Sequence, residues 1–140
     1  MSGRVADGQL ARRMAEHPLW SWRSGMAAVG VVKPHVQSRC YLRRVGSHWY
    51  GESGAAVADD AVMWASPRFD DEATIGATVG LIGTLASEPS TYACTMLVNS
   101  ALKSCCMVGG RLFYAASVER ALWLAFDFAA WFHEWKRGEE

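Results

Sequence analysis

Ser104-Cys-Cys-Met-Val-Gly-Gly-Arg-Leu-Phe-Tyr-Ala-Ala-Ser117 runs straight into Val118-Glu-Arg-Ala-Leu-Trp-Leu-Ala-Phe-Asp-Phe-Ala-Ala-Trp-Phe-His-Glu-Trp-Lys-Arg137. Two short apolar runs, 104–108 and 111–115, flank Gly109-Gly110. A glycine pair between such runs marks a tight β-hairpin, because its turn needs positive φ. Ser117 then stands where a helix N-cap belongs, with Glu119 in the first turn. Lys136 and Arg137 complement the far end, and Gly138 can terminate the helix. A hairpin followed at once by a long helix predicts an α+β fold, a mostly antiparallel sheet with helices packed on it.

Helical spacing gathers Trp131, Leu124, Trp135, Phe128, Ala121, Phe132, Ala125, Val118, Ala129, Leu122 and Phe126 into one apolar arc. That arc is about 220° wide, where a helix resting on one core needs little more than about 100°. The excess calls for a second layer, a second copy of the chain or a partner. Phe128, Phe132 and Ala125 are mid-arc and are expected to face the core. Trp131, Leu124 and Trp135 form one edge, and Trp123 stands apart among Arg120, Asp127 and Glu134. Trp123, Leu124, Trp131 and Trp135 are therefore the candidate partner-binding residues, since aromatic anchors dominate protein interfaces.

Upstream, residues 6–16 read as a short helix with Leu10, Met14 and Ala11 inward, ended by Pro18. Trp20-Ser-Trp22-Arg alternates like a strand. Residues 27–32, 36–45 and 48–50 read as further strands, and 55–65 contains another. Asp70 is the expected N-cap of a second helix that runs to about residue 86, with Asp71 and Glu72 in its first turn. Gly76, Gly80 and Gly83 inside that helix each cost about 1 kcal/mol relative to Ala, so they are expected to permit close packing. Residues 92–98 then add a strand ahead of the hairpin. The order reads α-β-β-β-β-α-β-β-β-α, expected as a single domain over residues 1–140, a length that can bury a core without staples.

Formal charge is zero, with seven tryptophans in 140 residues. Zero net charge disfavours a generally basic nucleic-acid binder and predicts limited solubility near neutral pH. Met1 to Asp7 leads into no apolar run, so no signal peptide is expected, and no stretch approaches the roughly 20 apolar residues of a membrane span. Cys40, Cys94, Cys105 and Cys106 are read as reduced thiols of a cytoplasmic protein. His17 belongs to a His-Pro turn. His35, Cys40 and His48 match no zinc spacing, so no metal is expected. Asp59-Asp60 reads as a turn, and the glycines do not form a phosphate loop. No nucleophile elbow or C-x-x-C is present, so neither catalytic residues nor a cofactor are assigned.

Between His17 and Gly51 there is no acidic residue, while Arg23, Lys33, Arg39, Arg43 and Arg44 interleave with Trp20, Trp22, Tyr41 and Trp49. A basic aromatic face is what single-stranded nucleic-acid binding uses. Lys33, Arg39, Tyr41, Arg43 and Arg44 are the candidate residues for that alternative. The competing expectation is that the acidic stretch 52–72 folds back and neutralises them.

Leu10-Ala-Arg-Arg-Met-Ala-Glu-His-Pro-Leu-Trp-Ser-Trp-Arg-Ser-Gly-Met26 resembles the L-A-x-x-M-A-x-H-P-x-W-x-W-x-x-G-M opening of an uncharacterised family of small phage and prophage proteins. Asp70-Asp-Glu-Ala-Thr-Ile-Gly76 is similar to that family's D-D-P-A-T-L-G helix start, with Glu72 in place of proline. Val118-Glu-Arg-Ala-Leu122 is similar to its closing helix, here longer and more aromatic. The resemblance carries no catalytic residues. It implies a phage or prophage accessory protein, and with the aromatic helix it points to binding of a host or phage protein in the host cytoplasm, a homodimer being one form of the contact.

Overall fold

The computed structural model describes residues 7–139. Its elements are α1 (Asp7–Ala15), β1 (Ala27–Val32), β2 (Cys40–Val45), β3 (His48–Gly51), β4 (Ala56–Val57), a 3-10 turn (Asp59–Ala61), β5 (Val62–Pro67), α2 (Glu72–Ala86), β6 (Thr91–Val98), β7 (Ala101–Val108), β8 (Arg111–Ala115) and α3 (Val118–Gly138). Two antiparallel sheets form, in the orders β4-β3-β2-β1-β5 and β6-β7-β8. The fold is α+β in the expected element order. One strand is added before α2, because Asp59–Ala61 divides the run 55–65. The expected helix start at residue 6 lies outside the described residues. The described residues cluster into two compact units, Ala11–Ala77 and 7–10 with 78–139.

In the unit Ala11–Ala77, β1 is buried on both faces, and one core cluster lies on one of them. Ala28, Leu42 and Trp49 are buried there, with Trp22, Val32, Cys40, Val57, Val62 and Ala65 packed around them. Gly30 is obligatory in β1: a Cβ there would collide with the Trp64 carbonyl oxygen of β5. The expected strand at Trp20–Arg23 does not form. Its two tryptophans meet edge-on at 5.3 Å and 82°, and Trp22 meets Trp49 in the same way at 4.9 Å. Ring packing rather than a ladder holds that segment, so alternation over four residues was not a strand signal. β2 likewise starts at Cys40, and residues 36–39 precede it as an exposed loop.

The N-cap of α2 is Asp71, not Asp70. Asp71 Oδ2 accepts the Thr74 N–H at 3.0 Å and the Thr74 hydroxyl at 2.7 Å, and that hydroxyl oxygen accepts the Ala27 N–H at 2.7 Å. Asp70 is drawn away by Arg68, whose guanidinium holds it at 2.9 Å. Of the helix glycines, Gly83 does sit against another element. A Cβ there would lie 3.0 Å from the Glu88 carbonyl oxygen and 3.2 Å from Thr91. Gly76 has open space around it, so close packing does not explain it.

In the unit containing residues 78–139, β6, β7 and β8 form a meander through two-residue turns. Asn99-Ser100 makes the first with φ of 52° and 66°, and Gly109-Gly110 makes the second as expected. α3 packs on β7 and β8. Ser117 caps it by accepting the Arg120 N–H at 3.2 Å, and the helix continues through Gly138 to an end at Glu139. Its buried stripe is Ala121, Leu122, Ala125, Phe126, Ala129 and Ala130. Ala125 faces the core as expected, but Phe128 and Phe132 are only half-buried. The reason is size: the alanines let the helix backbone approach the sheet closely, and two phenylalanines would hold it off. Leu122 and Phe126 take the large buried positions instead.

Candidate protein interface on the last helix

The rotation of the buried stripe toward Phe126 and Ala130 leaves the opposite edge of the apolar arc in solvent. Trp131 is 59% exposed, Trp135 48% and Leu124 40%. Trp123, the fourth candidate, is half-buried and set about 100° round the helix from these three, toward Asp127 and Glu134. The exposed rings are ordered rather than scattered. Trp131 and Trp135, one turn apart, stack at 6.1 Å with planes 13° apart. Phe128 lies 6.0 Å from Trp131, and Phe132 5.8 Å from Trp135. Phe128 is fixed in turn by Phe113 of β8 at 5.4 Å and by the Arg111 guanidinium over its face at 4.9 Å.

These rings form one wall of an open groove of about 350 Å³, lined also by Ala86, Glu88, Val108, Gly110 and Arg111. The volume is at the lower end of ordinary ligand pockets. A nearly flat aromatic wall with one carboxylate and one guanidinium at its rim suits an apolar side chain flanked by polar groups. It offers no nucleophile with a positioned base, which covalent catalysis would need. Sequence reasoning missed the groove's other side, because Ala86, Glu88 and Val108 come from α2, the following loop and β7.

The basic segment is arranged differently. Arg43 donates to the Gly25 carbonyl oxygen at 2.8 Å and pairs with Asp71 at 3.2 Å, and Arg44 lies 3.8 Å from Asp59. The partners come from the acidic stretch 52–72. Arg39 precedes β2 and lies over Trp64 at 5.6 Å, so it does not share the strand face of Tyr41 and Arg43. Tyr41 is exposed, with Arg68 over its ring at 4.3 Å. Lys33 is exposed. Tyr41, Arg43, Tyr50, Glu52 and Arg68 line a separate groove of about 340 Å³.

The His17 ring is structural in its contacts: Nδ1 accepts the Leu19 N–H at 3.0 Å, closing the His-Pro turn. His35 and His48 are exposed, and among the described residues no group of His, Cys, Asp and Glu is arranged to hold a metal ion. All four cysteines are free thiols. Burial pushes the Cys106 thiol up to about 12. Burial also raises Cys94, with the facing Cys105 adding to the shift. Both are moved away from the thiolate form that redox or nucleophilic chemistry requires. No helix among the described residues is long and apolar enough to cross a membrane.

No protein-family model, curated protein or solved structure matches this chain.

Proposed function

We propose that this chain is a non-catalytic protein-binding module whose contact surface is the aromatic edge of α3 and the groove beside it. The observation that carries this reading is the stacked, half-exposed Trp131–Trp135 pair. Stacking pre-orders two large side chains, which lowers the entropy lost when a partner immobilises them. The partner inserts an apolar side chain between Trp135 and Val108, with polar groups reaching Glu88 and Arg111. The resemblance of residues 10–26 to phage proteins supports a phage or prophage accessory role in the host cytoplasm, directed at a host defence or regulatory protein.

The alternative, nucleic-acid binding through residues 17–51, is the weaker reading. Arg43 and Arg44 have carboxylate partners and Arg39 lies apart on Trp64, so few free cations remain beside Tyr41. It would show itself as tight single-stranded binding with a steep salt dependence.

The test uses tagged wild type and a Trp131→Ala/Trp135→Ala variant on host-cell extract, with thermal melting of both. A stoichiometric protein retained by the wild type and lost from an equally stable variant supports the reading. Equal retention by both overturns it, and copurifying nucleic acid that salt removes favours the alternative.

A further inference from the structure

β6 is an edge strand. It pairs with β7 on one side and, among the described residues, with no strand on the other. Its eight residues, Thr-Tyr-Ala-Cys-Thr-Met-Leu-Val, contain no charge and no proline. Those are the devices by which natural proteins block an open edge. The two-residue turn at Asn99-Ser100 makes Val98 and Ala101 a hydrogen-bonded pair, and the alternation continues along the ladder. Tyr92, Cys94, Met96 and Val98 therefore bond to β7. Thr91, Ala93, Thr95 and Leu97 turn their N–H and C=O groups outward.

We infer that β6 pairs antiparallel with β6 of a second copy, joining two three-stranded sheets into one across a two-fold axis at Thr95. The outward groups fall into register under that symmetry. Thr95 exchanges both hydrogen bonds with its own mate, and Ala93 exchanges both with Leu97 of the second copy. The side chains complement one another as well. Leu97 stands opposite Ala93, and Met96 opposite Cys94, large against small on each face. An uncharged strand meets itself without like-charge repulsion, whereas a charged partner segment would find no counter-charge on it. Leu97 and Leu102 at the hairpin tip are 69% and 73% exposed, and Tyr92 and Met96 are 52% and 41% exposed. This surface is separate from the aromatic edge of α3, so the two proposals fail separately.

The experiment is sedimentation of the full chain across a wide concentration range, with Thr95→Lys and Thr95→Pro as variants. Thr95 gives no hydrogen bond to β7 in this register, so both variants block the edge while keeping the meander's own ladder. The wild type should be a dimer and both variants monomers. A trap that does not depend on those variants folding is Met96→Cys. Its thiol faces Cys94 of the second copy, and the two lose their hydrogens to added oxidised glutathione to form an interchain disulfide. The covalent dimer should vanish when Cys94→Ser is added. A wild type monomeric at every concentration overturns the inference. So does a dimer that persists in both Thr95 variants, or one that Met96→Cys fails to trap. Loss of extract binding in the α3 double variant with the dimer intact would leave this pairing standing on its own.

Discussion

Asp71 ties three pieces of chain together, and its ionisation is part of that role. The hydrogen bond from Thr74 holds its carboxyl below the usual carboxylate range, and Arg43 adds to the effect against the opposing cost of burial. A folded-state value below the unfolded one contributes stability that is complete above about pH 4, the unfolded value. That contribution is lost as pH falls through the folded value. Asp71→Ala should cost about 1 kcal/mol near neutral pH, the usual cost of a lost N-cap. In urea melts the gap to wild type should close as pH drops below about 4; a gap that stays constant would show that the charge is not involved. The thiols differ in the same residue-level way. Cys105 and Cys106 are buried, and Cys40 and Cys94 are half-exposed. Iodoacetamide at mildly alkaline pH should label Cys40 first and Cys94 next, leaving Cys106 unmodified until the protein unfolds. Peptide mass mapping reads the order, and early labelling of Cys106 would contradict the packing under α3.

Glycines separate two elements that look alike in sequence. Gly30→Ala should destabilise by about 1–3 kcal/mol, the range for an overpacked position, because β1 cannot move away from the Trp64 carbonyl without losing its ladder. Gly76→Ala should stabilise by about 0.5–1 kcal/mol, since nothing surrounds that position and alanine is the better helix former. Thermal melts of the two variants should therefore shift in opposite directions. In α3, Phe126→Ala should cost about 3–5 kcal/mol, as for a fully buried phenylalanine. The half-buried Phe128 and Phe132 should cost less when truncated. Equal losses at all three would mean that the helix sits in a different rotation. The β7–β8 hairpin and the Ser117 cap were legible because their signals are local and chemically specific. The width of the apolar arc was legible too, but not which part of it is covered. That depends on how close the alanine stripe lets α3 come to the sheet, a property of two elements together. Asp70 and Asp71 were indistinguishable for a similar reason: Arg68 and Arg43 decide between them, and both arrive from elsewhere in the chain. The groove beside Trp135 has no sequence signature, because its walls come from separated segments.

Across the whole chain, the zero net charge hides an uneven distribution. The acid-free segment 17–51 is matched by Asp59 and Asp71 from the stretch that follows, while α3 carries its own Glu134–Arg137 pair at 3.9 Å. Exposed pairs of this kind contribute little to stability, so their visible effect is on partner choice. The connectivity has a different consequence, in time rather than in energy. The meander β6-β7-β8 joins each strand to its neighbour in sequence through a two-residue turn. β1, by contrast, must find β5 across three intervening strands, pairing Ala28 with Pro67. Closing a longer loop costs more entropy before any contact repays it, and proteins rich in local contacts fold faster. On dilution from denaturant, pulsed deuterium labelling should therefore find the amides of Cys94 and Cys105 protected before those of Val29 and Val31, which face β5. The late half of the chain, though synthesised last, would set first, and the reverse order would show that the long-range β1–β5 pairing nucleates the fold.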